Sequence, residues 1–386
     1  MTGPATPTSD AARRDVAAPA GTRRQASRVG VAVVGYGYWG PNLVRNFAEV
    51  PEAQVVGVSD LRRGRLETVA ARYPAVRATT DHRDLLADPA VDAVVIATPV
   101  ATHYDLARQA LEAGKHVLVE KPMATSCAEA AGLIELAERR GLVLMVDHTF
   151  VYTGAVRKIK ELVDAGELGR LYYWDSTRVN LGLFQHDVSV LVDLAVHDLS
   201  IMDYVLGGGP DAVSATGMAH VPGSPVNTAY LTCFFDGDLL AHFHVNWLAP
   251  VKVRRTLIGG DRRMVVFDDI EPSEKVKVYD RGITLAAGEQ GRFEMLVGYR
   301  AGDMWAPRLS LTEALRIEAQ HFVDCIQEGR RPVTDGHAGY RVVRILEAAA
   351  ASLAQRGRLI ELDWENRRAH STHRPAGAVP EPQAAD

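Results

Sequence analysis

Residues 193–200 read Asp-Leu-Ala-Val-His-Asp-Leu-Ser, a histidine with carboxylates on both sides in an apolar, helix-patterned stretch. Asp193 and His197 stand one turn apart and share a helix face. Buried charge is costly unless it is paired or used, so the pair either braces the helix or handles protons. Imidazole has the unperturbed pKa for the second task, and Asp193 can orient it or support its charged form. Asp198 reads as a solvated or helix-packing carboxylate.

A second stretch points to a nucleotide. Gly35, Gly37 and Gly40, with Tyr36, Tyr38 and Trp39 between them, form Gly-x-Gly-x-x-Gly after one apolar run and ahead of a helical pattern. There the first glycine permits a tight turn, the second lets the backbone approach a pyrophosphate, and the helix N-terminus receives it. About twenty residues on, Asp60 closes the next apolar run, where a carboxylate accepts from adenosine ribose hydroxyls and repels a 2′-phosphate. NAD is therefore favoured, while Arg62 and Arg63 leave NADP open. Two further turns, Thr98-Pro99 with His103 and Glu120-Lys121-Pro122, sit at strand ends. Ligands of open α/β sheets bind outside such ends, so Thr98, Pro99, His103, Glu120 and Lys121 join Asp60 and Arg62 as cofactor-site candidates. Thr102 can equally cap the helix that follows, and Pro122 restricts Lys121 to an extended backbone.

The elements that must position these residues follow from hydrophobic patterning. Apolar, β-branched runs at 30–35, 53–60, 92–99, 115–120 and 141–147 alternate with helical patterns at 40–49, 62–72, 102–113 and 126–140. Continuous apolar strands separated by helices predict a parallel sheet covered on both faces, an α/β Rossmann domain over 28–150. After 150 the pattern changes. Helices are expected at 154–165, 187–206, 309–328 and 337–356, and strands at 171–179, 229–235, 239–247, 254–260 and 264–269. Strands in succession predict an α+β domain over 151–365 with a large, mainly antiparallel open sheet. The segments 1–27 and 366–386, rich in Ala, Pro and Arg, read as disordered tails.

The chain has 386 residues, 47% hydrophobic and 24% charged, with a net charge of −5. That balance gives no reason to expect a nucleic-acid or acidic-membrane partner. No apolar run approaches the ~20 residues of a membrane helix. The cysteines Cys127, Cys233 and Cys325 are widely spaced, which suits neither a disulfide framework nor a thiolate zinc site and fits a reducing cytoplasm. A metal site drawn from His148, His186, Asp193 and His197 has irregular spacing, and none is expected.

Taken in order, these motifs resemble the glucose–fructose oxidoreductase / inositol dehydrogenase (Gfo/Idh/MocA) family over about 28–360. The stretches FHVNWLAPVKVRR (243–255), EAQHF (318–322) and RPVTDGHAGYRVVRILEA (331–348) look like its branch of nucleotide-sugar 3-dehydrogenases. The resemblance implies a Rossmann domain, an α+β domain whose open sheet makes subunit contacts in a homodimer or homotetramer, and NAD(P)-dependent oxidation of a secondary ring hydroxyl. It implies Lys121, Asp193 and His197 as the catalytic residues. Ala195 departs from the glycine of many members, and Asp147, Thr153 and Gly154 depart around His148. For a sugar, nucleotide sugar or cyclitol, the binding candidates are His148, Arg178, Asn180, Asn246, Lys252 and Arg254. Alternatives are a keto-sugar reductase, a net non-redox enzyme recycling bound NAD, and a dinucleotide sensor. Lys121 and His197 both remain open as the proton acceptor.

Overall fold

A computed structural model of the chain describes residues 28–182, 188–280, 282–285 and 297–364. The two expected tails and His186 lie outside the described residues.

The first sheet is built from β1 (Val29–Val34), β2 (Ala53–Ser59), β3 (Arg77–Thr79), β4 (Ala93–Ile96), β5 (His116–Glu120) and β6 (Leu144–Asp147). All pair in parallel, in the order β3-β2-β1-β4-β5-β6. β1 and β4 are buried at every position, as strands covered on both faces must be. The covering helices include α1 (Gly40–Glu49), α2 (Arg63–Arg72), α4 (His103–Glu112) and α5 (Cys127–Arg140), with the one-turn α3 (Arg83–Leu86) between β3 and β4. β3 and α3 escaped the sequence reading because each is a few residues long and largely polar. The strand order reverses between β1 and β4, and a ligand crevice opens at such a switch point. Gly35 leaves β1 and Thr98 follows β4 on its two sides.

With β8 (Ala212–Met218), β13 (Val276–Tyr279), β16 (Met304–Trp305) and β17 (Ile360–Glu361) at its flanks, the second sheet has nine strands in the order β16-β13-β12-β11-β7-β10-β9-β8-β17, while β14 (Gly282–Leu285) and β15 (Val297–Arg300) pair as a separate ribbon. Those nearest the site are β7 (Leu171–Leu181), β9 (Thr228–Phe234), β10 (Leu240–Asn246), β11 (Leu248–Gly260) and β12 (Met264–Asp268). The pairing is antiparallel except between β7 and β10, which run parallel. Among the described residues, four helices pack with it or return to the first sheet. α6 (Gly154–Asp164) begins at a Thr153 cap whose hydroxyl accepts from Val156 N at 3.3 Å. The expected helix at 187–206 is described as a π turn, Leu191–Ala195, running into α7 (Val196–Leu206) and ending at Gly207 with φ +73°. α8 (Ala314–Glu328) sets Phe322 edge-on to Phe47 of α1, with ring centres 6.2 Å apart, and buries Leu315, Ala319 and Val323 in the same cluster. α9 (Gly336–Ala354) starts where Thr334 exchanges hydrogen bonds with Val146 on the edge of β6. Helices from the far end of the sequence thus complete the core around the first sheet.

Candidate active site

A cavity of about 1410 Å³ runs from the glycine turn across the switch point to α7 and β11. Drug-sized pockets are roughly 300–1,000 Å³, so this one has room for a dinucleotide and a second molecule. At one end Gly35 takes φ +98°, and a Cβ there would lie 2.4 Å from the Ala97 carbonyl oxygen. A Cβ on Gly40 would lie 2.2 Å from Gly35 O. Both must be glycine for the turn to close against β4. α1 then opens with no side-chain cap, unlike α5 and α6, and leaves its first amides for an anion. Asp60 accepts from Tyr36 N at 2.8 Å and from Arg62 N, Nε and Nη2 at 2.9–3.2 Å. Burial opposes the Asp60 charge, but those donors outweigh it and hold the carboxyl below its ordinary pKa. These residues fit a dinucleotide.

Tyr36 is buried and contributes its backbone to Asp60, Tyr38 is 89% exposed on the cavity rim, and Trp39 forms a wall. The His103 ring lies 2.9 Å from both the Pro122 and the Thr98 carbonyls. It lies between the loops that follow β4 and β5, and burial pushes its pKa down against those two contacts. Thr102 does not cap α4; its hydroxyl reaches Pro99 O at 2.7 Å.

At the other end Lys121, Asp193 and His197 share the cavity wall. The Lys121 ammonium donates to the Asp193 main-chain carbonyl at 3.2 Å and stands 3.6 Å from its carboxylate. The remaining carboxylate oxygen accepts from Trp247 Nε1 at 3.0 Å. Asp193 therefore holds Lys121 and Trp247 rather than the imidazole, which corrects the orienting role expected from helical spacing. Asp193 lies within the π turn Leu191–Ala195, a feature frequent at functional sites. His197 instead rests edge-on against Phe150, ring centres 4.9 Å apart. Burial, and then the positive charges of Lys121 and Arg178, push its pKa well below 6.5. The site disfavours imidazolium and keeps a neutral acceptor.

The candidate substrate residues divide. Asn180 and Arg254 border the cavity, and Arg254 is held by Asp269 at 3.2 Å. Arg178 lies behind it, buried in a two-pronged pair with Asp198 at 2.8 Å for both bonds and stacked on Phe150. Asp198 is accordingly a buried ion-pair partner, not a solvated carboxylate. Asn246 turns back to accept from Leu248 N at 2.6 Å, and Lys252 is exposed on β11, away from the cavity. His148 is buried with neither ring nitrogen partnered, and burial pushes its pKa down to about 3. Sequence reasoning passed over Phe150, Trp247, Thr149 and Glu318. Trp247 and Glu318 lie in the stretches FHVNW and EAQHF, whose polar residues in apolar runs were the available signal.

Comparison with known proteins decides the family. The model "Oxidoreductase family, NAD-binding Rossmann fold" matches residues 29–148, and the "GFO/IDH/MocA C-terminal domain" matches residues 156–266. UDP-N-acetylglucosamine 3-dehydrogenase of Acidithiobacillus ferrooxidans is 30% identical over 81% of this chain and 93% of its own length. The chain belongs to the Gfo/Idh/MocA family. The scyllo-inositol 2-dehydrogenase (NAD(+)) of Bacillus subtilis is 26% identical over 87% of this chain and 95% of its own. Among solved structures, the A. ferrooxidans enzyme superimposes with a TM-score of 0.72 at 27% identity, covering 85% of this chain and 98% of that one. GenD2 from gentamicin A biosynthesis, solved with NAD, gives 0.73 at 27% identity over 88% and 97%. The chain is thus a Gfo/Idh/MocA oxidoreductase with an NAD-binding Rossmann domain. Among the described residues, no helix is long and apolar enough to cross a membrane.

Proposed function

We propose that this protein oxidises a secondary ring hydroxyl of a sugar, with nucleotide sugars and cyclitols as the substrate classes, and uses NAD in preference to NADP. The observation that carries this reading is the placement of Lys121, Asp193 and His197 on one wall of a cavity whose far end holds the glycine turn and Asp60. The inositol and nucleotide-sugar dehydrogenases among the relatives support the substrate class.

The bound nicotinamide would supply the hydride acceptor. Neutral His197 takes the hydroxyl proton, without which hydride loss would leave a protonated carbonyl. Lys121, fixed by Asp193, donates to the same oxygen and stabilises the alkoxide as it forms. Trp247 holds Asp193 in place, and Asn180 and Arg254 meet ring hydroxyls or a diphosphate. Residues 28–150 serve as the cofactor half and 151–365 as the substrate half. On the outer sheet face Tyr173, Leu240 and Phe234 are register neighbours and exposed, which supports a homodimer or homotetramer built on that face.

The test is incubation of the purified chain with NAD and a panel of nucleotide sugars, free sugars and cyclitols, following absorbance of the reduced nicotinamide. Reduction with one member fixes class and substrate. No net reduction, with bound cofactor and an altered sugar, would replace this reading with internally recycled chemistry.

A further inference from the structure

Glu318 comes from α8, far along the chain from the cleft, yet its side chain is fully buried at the ends of β5 and β6. Register sets Glu120 directly opposite Asp147 there, and both glutamates lie within hydrogen-bonding reach of Asp147. Asp147 also accepts from the Trp39 indole at 3.1 Å and from the Thr149 hydroxyl. By contrast, neither Glu318 oxygen has a donor, and Glu120 Oε1 has none.

Three ionised carboxylates cannot share so dry a space. Among the described residues no group of His, Cys, Asp and Glu is placed to hold a metal ion, so protons must offset the charge. The facing groups do not supply it. Lys121, at the end of β5, turns its ammonium toward Asp193. His148 after β6 and His197 on α7 are held neutral. Tyr152 is engaged with Thr334, and His321 and Cys325 lie further along α8 and face each other. One arrangement accounts for the protons: Glu120 and Glu318 each donate to Asp147, which also accepts from Trp39 and Thr149. Burial, and then the Asp147 charge, push both glutamates well above the ordinary carboxyl range.

We propose that Glu120, Asp147 and Glu318 hold two protons between them, and that Glu120, which borders the cavity, yields its proton when a positive nicotinamide ring is bound and regains one when the ring is neutral. The inference rests on the oxidoreductase reading above. In the oxidation the carbinol C–H and O–H bonds break, the carbon is oxidised and the ring reduced. The hydroxyl proton passes from His197 across the shared cavity to re-form the Glu120 O–H bond. Glu318 is the fixed neutral donor to Asp147. The three carboxyls therefore store the proton of the reaction.

Calorimetric titration of the full chain with NAD and with NADH, each in two buffers of different ionisation heat, counts the protons exchanged. NAD binding should release about one proton and NADH none, and the NAD:NADH affinity ratio should rise by up to about tenfold per pH unit across that window. Glu120→Gln should abolish the release. Glu318→Gln should keep it, since a neutral amide replaces a neutral acid. Equal proton counts for the two forms, or release that persists in Glu120→Gln, would overturn the proposal. A Glu120 that merely shaped the pocket would, when changed, weaken both forms alike and leave the release intact. If neither form binds, the oxidoreductase reading falls first and this one with it.

Discussion

The two ends of the cavity handle charge in opposite ways. Around Asp60 both carboxylate oxygens are bonded and the Arg62 side chain is 61% exposed. Around Lys121 and His197, buried atoms of Glu120, His148, Arg178 and Arg254 lack partners. The Asp60 carboxylate is held charged, whereas burial pushes Glu120 up and His148 down, each toward its neutral form. On the proposed function, the end around Asp60 recognises the nucleotide and the other end moves protons.

The sharpest way to break that contrast is to remove the proton-handling groups. Lys121→Ala and His197→Ala should each lower kcat by about 10²–10⁴-fold, the span of general acid–base catalysis, with nucleotide affinity changed far less; equal losses in both would merge the two ends into one binding surface. Asp198→Asn should cost about 3–5 kcal/mol in urea denaturation, because it leaves Arg178 charged and buried. A loss confined to substrate KM would instead make Arg178 a ligand-binding residue. Asp60→Ala should shift the NAD:NADP preference by about 10–100-fold, as expected for hydrogen bonds to a charged group; an unchanged ratio removes Asp60 from cofactor choice.

The last test concerns pH. His148 stays neutral in the folded chain down to about 3, while the unfolded chain protonates it near 6.5. Its contribution to stability is full above that value, falls as pH drops through it, and levels off below about 3. His148→Phe should flatten this part of the Tm-against-pH curve, and an unaltered slope would show that the ring gains a partner in solution.

Much of the recognising end was legible in the sequence because its parts are local. The turn from Gly35 to Gly40 and the strand-end Asp60 act through neighbours a few residues away, and their types dictate their backbone. The other end was legible only as a set of residues. Asp193 and His197 are one turn apart, but the partners of Asp193 are Lys121, 72 residues away, and Trp247, 54 away. No local spacing encodes such pairings. Arg178 likewise read as a substrate-binding candidate, when its charge is absorbed by Asp198 from the helix above. Glu318 showed only as a polar residue in an apolar helix.

The return of α8 to α1 also sets limits on recombination. The glycine turn, Asp60 and the Lys121 turn look like a portable nucleotide cassette ending near β6, but the wall behind Phe47 is supplied by Phe322. A graft of 29–148 onto a foreign second half would expose that apolar wall unless α8 travelled with it. The unit that can be exchanged between relatives is thus discontinuous in the gene, and crossovers that respect it need two junctions rather than one.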